Sequence, residues 1–105
     1  MVEWYSTEAI AGKEITKHLG VVSGSTIRAR NIGRDIVAGL RTIVGGEVPE
    51  YTEMMAHARN QAIERMLQKG AEMDADAIVG VRFSTAMIMQ GTAEVMAFGT
   101  AVKYR

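Results

Sequence analysis

Ala77-Ile78-Val79-Gly80-Val81-Arg82-Phe83-Ser84-Thr85-Ala86-Met87-Ile88-Met89 is followed, across Gln90-Gly91, by Thr92-Ala93-Glu94-Val95-Met96-Ala97-Phe98-Gly99-Thr100-Ala101-Val102-Lys103-Tyr104. Two β-rich runs joined by a glycine-containing dipeptide predict a hairpin, although glutamine is a poor first residue for a tight turn. Alternate side chains of a strand face opposite sides of a sheet. Here both sides are apolar: Val79, Val81 and Phe83 share one parity against Ile78 and Ala86, and Met96, Phe98 and Val102 oppose Val95, Ala97 and Ala101. Neither face is built for water.

Upstream of the hairpin, Pro49 sits where a helix would begin, and Glu50 to Glu72 holds strong helix formers with no breaker before Gly70. On a helical wheel Tyr51, Met54, Met55, Ala58, Ala62 and Met66 share one face, while Glu53, His57, Asn60, Gln61, Glu64 and Gln68 share the other. Before that, Asn31 is a good N-cap for an apolar stripe of Ile32, Ile36, Val37, Leu40, Ile43 and Val44, closed by Gly45-Gly46, which predicts a short first helix. Further upstream, Ile15 to Ala29 is rich in β-branched residues but interrupted by Gly20 and Gly24, which suits a long strand that is bent or bulged.

The 105 residues have room for one domain, residues 1–105, with one core. One helical layer covers one face of such a sheet, so the economical cover for the other is a second copy of the chain. The alternative is that the short first helix caps it. Twelve basic residues balance twelve acidic ones, so the field that draws nucleic acid or an anionic membrane to a basic domain is missing. No cysteine is present, which removes disulfides, thiolate metal sites and cysteine nucleophiles and fits a reducing compartment. With no signal-like start and no apolar run approaching about 20 residues, the chain is expected to be cytoplasmic, with neither a membrane nor a nucleic acid as partner.

The order strand, glycine-flanked helix, long helix, hairpin coincides with a set of residues in register. They are Asn31-Ile32-Gly33-Arg34-Asp35-Ile36, Ile43-Val44-Gly45-Gly46-Glu47, Tyr51 with Ala58-Arg59, Ala75-Asp76-Ala77-Ile78-Val79-Gly80-Val81, and Gly99-Thr100-Ala101-Val102. From Gly12 to Lys103 the chain resembles the YbjQ family, which also carries a heavy-metal-binding label. The resemblance implies an α+β, dodecin-like subunit: a β-α-β-β two-layer arrangement with antiparallel sheet order 1-3-2, assembled as a homopentameric ring. The family's function is not established, and no catalytic residue is carried over. Relatives resemble one another in an acidic pattern after the glycine at position 80, where this chain has Val81-Arg82-Phe83-Ser84. If those acids bind metal in relatives, this chain does not bind it there.

For a divalent or heavy metal ion the candidate ligands are His57 and Glu53, one helical turn apart with Gln61 a turn beyond, and His18 in the first strand. The bland reading is a solvated helix face. Met87 and Met89, alternating on one strand face, and Met54-Met55 offer thioethers to a soft ion, against their ordinary use as adaptable core and interface filler. Arg28, Arg30 and Arg34 surround the start of the first helix, where free N–H groups and the dipole favour a phosphate or carboxylate; the alternative is surface and interface charge. Arg59 falls within the apolar arc of the long helix and therefore needs either a packed stem or a carboxylate, with Glu94 and Asp35 as candidates for an assembly or structural ion pair. No nucleophile constellation and no phosphate loop is present. The sequence therefore points to a non-enzymatic homo-oligomer that binds a metal ion or small ligand at a subunit junction or pore, or alternatively to a structural scaffold ring presenting a protein-binding surface.

Overall fold

A computed structural model describes residues 2–29, 49–89 and 91–105. In chain order the elements are β1 (Glu3–Trp4), β2 (Ile15–Ala29), α1 (Pro49–Glu72), β3 (Ala77–Met89) and β4 (Thr92–Tyr104). The expected short helix over Asn31 to Val44 lies outside the described residues, as does Gln90 of the turn. Gly91 beside it takes φ of 80°, the left-handed conformation that a tight reversal demands of one residue.

The four strands form one sheet in the order β1-β3-β4-β2. Its three long strands are antiparallel neighbours, with β4 central between β2 and β3. The expected three-stranded antiparallel 1-3-2 sheet is corrected by β1, which pairs parallel with Ala77 and Ile78 and makes the sheet mixed. The backbone pairing continues as an irregular strap: Tyr5 N–H donates to the Ile78 carbonyl (2.8 Å), Val81 N–H to Tyr5 (3.0 Å) and Gly80 N–H to Thr7 (2.9 Å), with the Trp4 ring edge-on to Phe83 beside it. A two-residue exposed strand carries no alternation for a sequence reading to find.

A second correction concerns β3. Its register with β4 slips between Val79 and Arg82, because Gly80 and Val81 together stand opposite a single position, with Gly80 at φ 63°. This bulge turns Val79 and Val81 to opposite faces although they are two apart. Val81 joins Ile78, Val95, Ala97 and Ala101 under the helix, whereas Val79 joins Ala77, Val102 and Ile10 on the other face. In β4, which has no bulge of its own there, the predicted parity holds.

The long helix lies over β2 and β4 on one face. Ala58, Ala62 and Met66, four apart, are completely buried, with Met55, Ile63 and Leu67 packed beside them. Full burial of a side chain such as Met66 or Ile78 contributes about 1.5–3 kcal/mol. The small residues bring helix and sheet together, and Gly24 sets the distance: a Cβ there would collide with the Ala62 carbonyl and the Met66 N–H and stand 2.7 Å from the Arg65 Cβ. The helix ends through Asp74 at φ 59°, with Ala75 N–H bonded back to the Gly70 carbonyl at 3.0 Å. On the opposite face the strap leading into β2 covers only the base of the sheet, where Tyr5, Ile10 and Ile15 pack on Ala77, Val79 and Val102.

Beyond that base the sheet projects. The Cα radius of gyration is 17.2 Å and the extents are 53 × 23 × 20 Å, against about 13 Å for the radius of a compact chain of this length. Every residue of β3 from Arg82 to Met89 is exposed. Large apolar side chains stand bare on both faces: Met87 (78% exposed) and Phe83 on the helix side, Val21 (75%) and Ile27 (60%) on the other.

Candidate functional site

Two features on the helix side of β2 gather polar groups. In an antiparallel strand the residues Val22, Gly24, Thr26 and Arg28 share a face, and here it is the face beneath the helix. Thr26 is buried and its hydroxyl lies 3.5 Å from Gln61 Oε1, which also accepts a 2.9 Å hydrogen bond from Arg28 Nη2. Arg28 Nε is buried without an acceptor. A guanidinium held by one amide oxygen, with a second donor unsatisfied, is an electropositive corner suited to an anionic oxygen. Of the three arginines expected to hold an anion, Arg28 lies among the described residues, against Gln61; Arg30, Arg34 and the helix start they were expected to surround lie outside them.

Toward the other end of the helix lies a cleft of about 400 Å³ lined by Ser23, Gly24, Ser25, Arg65, Gln68, Lys69 and Glu72. One wall is the main chain of β2 at its outer edge, and the other is the exposed flank of α1. Arg65 Nη1 bridges the two by donating to the Ser25 carbonyl at 2.6 Å. Sequence reading missed this cleft because its strand wall is backbone. The one available signal was Gly24, whose absent side chain permits the close approach.

The metal candidates separate. Glu53 and His57 are exposed, one turn apart on α1. His18 is exposed near the start of β2, and the nearby Gly20 is approached by Met73, past the far end of the helix. From His57 to Met73 the helix rise alone is about 24 Å. The grouping of His18 with Glu53 and His57 within one chain is corrected on that ground, and among the described residues no three His, Cys, Asp or Glu side chains converge. The described residues of one chain therefore do not supply the donor set of a heavy-metal cage. Met87 and Met89 are both largely exposed.

Of the two alternatives for Arg59, burial with a carboxylate is not what one chain forms: the residue is exposed. It stands one position, about 100°, from Ala58 on the line that touches the sheet, and a long stem there carries its charge to water. Glu94 is level with Ile27 and Ala86, so it points to the face away from the helix, and the Arg59–Glu94 pair is not formed within the chain. Asp35 lies outside the described residues. Among the described residues, ion pairs tie the base of the fold: Lys103 with Asp74 (3.3 Å) and Asp76 (3.9 Å), and Arg105 with Glu14 (3.1 Å). Tyr5 donates a 2.6 Å hydrogen bond to Glu3 Oε2, and this bond first, then desolvation and the carboxylate's charge, raises its pKa above the usual tyrosine value.

Comparison with known proteins places this geometry. A solved structure from Pediococcus pentosaceus, described as a protein of unknown function of the DUF74 family, superposes with a TM-score of 0.71 at 17% identity over 99% of this chain and 98% of that one. The likeness extends the fold to a distant sequence. Curated relatives are much nearer: a UPF0145 protein of Methanosarcina acetivorans is 56% identical over 93% of this chain and 92% of its own length. Another from Psychromonas ingrahamii is 56% identical over 95% of each, and one from Dehalococcoides mccartyi is 59% identical over 92% of this chain and 93% of its own. The family model YbjQ_1, described as "Putative heavy-metal-binding", matches residues 2–105, and with relatives this similar over nearly their full lengths the chain belongs to that family.

Proposed function

We propose that the protein is a non-enzymatic, cytoplasmic homo-oligomer, a dodecin-like ring of five chains, which binds a small ligand or ion where subunits meet. The observation that carries the reading is the projecting half of the sheet. Val21 and Ile27 on one face, and Phe83 and Met87 on the other, are exposed together on one structural unit. Scattered surface apolar residues need no explanation, but a projecting sheet that is greasy on both sides does. A ring of identical subunits covers such faces and repeats each side chain around its axis. Repetition also supports the ion reading, since His57 and Glu53, too few within one chain, recur in every copy. No helix among the described residues is long and apolar enough to cross a membrane.

Light scattering on the purified, untagged protein tests assembly, with a mass five times that of the chain expected. Titration with zinc and copper, read as a rise in melting temperature, tests the ion. A single-chain mass at micromolar concentration overturns the whole reading, while a pentamer indifferent to both metals removes the ion and leaves other ligands. The apolar hairpin end, Met87 to Met89, favours a second reading in which the ring is a scaffold offering that surface to another protein.

A further inference from the structure

The sheet has two edges without a strand partner among the described residues, and they match. β2 is bonded to β4 on one side only, and β3 loses its outer neighbour after Val81, where the N-terminal strap ends. Two of the guards by which monomeric proteins blunt an exposed strand are missing from both edge strands: from Val21 to Ile27 and from Phe83 to Met89 there is no charged residue and no proline. The two edges are also level. Phe98, Met96 and Glu94 of the central strand stand opposite Ser23, Ser25 and Ile27 on one side and Arg82, Ser84 and Ala86 on the other.

The direction of the main-chain groups is fixed by two bonds outside the ladders. The Ser25 carbonyl accepts from Arg65 (2.6 Å), so it points out of the sheet edge. The Val81 N–H donates to Tyr5 (3.0 Å), so it points outward from β3. In antiparallel ladders alternate residues turn both their groups to the partner. Ser23, Ser25 and Ile27 therefore present N–H and C=O on one free edge, and Phe83, Thr85 and Met87 present theirs on the other.

We infer that copies of this chain join head to tail, the free edge of β3 adding in parallel to the free edge of β2, with the partner's Ser84 level with Ser25. The inference rests on the oligomeric reading above and names its contact. In a parallel pair a residue bonds to those before and after its level neighbour, so Ser25 meets the carbonyl of the partner's Phe83 and the N–H of the partner's Thr85, the groups that face outward. Ser23 and Ile27 follow the same rule, one bonded step to either side. Because the free edges are level, this contact has no rise along the strands, as a closed ring requires and a filament does not. It also places the partner's Phe83 beside Gly24, at the cleft lined by Arg65, Gln68 and Lys69. Arg65 guards the Ser25 carbonyl in the separate chain and yields it on docking.

Because the chain has no cysteine, disulfide trapping reads this contact directly. In one chain Ser25 and Ser84 flank the central strand, about 10 Å apart, beyond the reach of a disulfide. The double variant Ser25→Cys with Ser84→Cys is expected to give, on mild oxidation, a ladder of covalent species above the dimer on a non-reducing gel. Each single variant is expected to stay uncrosslinked, and a mixture of the two singles to stop at dimers. Thr85→Pro, which removes an N–H outside its own ladder, is expected to keep the circular dichroism of the native chain and to lose its oligomeric mass. An oligomer by light scattering whose double variant does not crosslink, or a Ser25→Cys variant that crosslinks with itself, overturns this contact while the ring reading stands. A wild-type monomer overturns both.

Discussion

Gly24 shows how much one missing methyl decides. A Cβ at this position would meet the helix backbone at Ala62 and Met66 rather than a flexible side chain, so neither partner can move aside cheaply. Gly24→Ala is expected to cost about 3 kcal/mol, read as a lower urea midpoint at unchanged slope. Arg59→Ala, by contrast, removes an exposed side chain and should leave chain stability within about 0.5 kcal/mol by the same measurement. Tyr5 carries a pH signature. Its neutral form is favoured in the fold, so this contribution is fully present below the unfolded tyrosine pKa of about 10 and is lost as pH rises through the raised folded value. Spectrophotometric titration of the phenolate should show one tyrosine ionising late, and Glu3→Gln should bring it back toward the others.

At the level of elements, the bonds of Gln61 join α1 to β2. Gln61→Ala leaves Arg28 Nη2 without an acceptor in addition to the already unpartnered Nε, and is expected to cost about 1–3 kcal/mol. Arg28→Met removes the cation and its orphaned donor together, so thermal melts should place it within about 1 kcal/mol of the native chain. The elements themselves were largely readable. The bounds of β2, α1 and the hairpin strands follow from Gly, Pro and apolar spacing, because these residues act through local backbone preference. What could not be read depends on partners distant in sequence: β1 exists only because Ala77 and Ile78 lie beside it. The slip at Gly80 looks like uninterrupted alternation in one dimension and becomes visible only against β4. Of the candidate site, Arg28 could be named but its acceptor could not, and the cleft at Ser23 to Ser25 is walled by atoms common to every residue.

For the molecule as a whole, length and thinness are the informative properties. A chain extending 53 Å in one direction and about 20 Å in the others has a large surface for its core. If subunits complete that core, melting temperature should climb with protein concentration, since association draws on folded chains only. Calorimetry over a hundredfold dilution series checks this, and a constant value would mark a self-sufficient protomer. The inserted residue at Gly80 has a consequence on this same scale. By switching the parity of β3 near its start, it lets one strand press Val79 toward the N-terminal strap and yet offer Phe83 and Met87 on the helix side. Paired one-to-one with β4, without that bulge, the same sequence would keep its composition but invert its outer part, setting Ser84, Ala86 and Ile88 where Phe83, Thr85 and Met87 now greet a neighbour: a chain able to fold and unable to recognise its own kind.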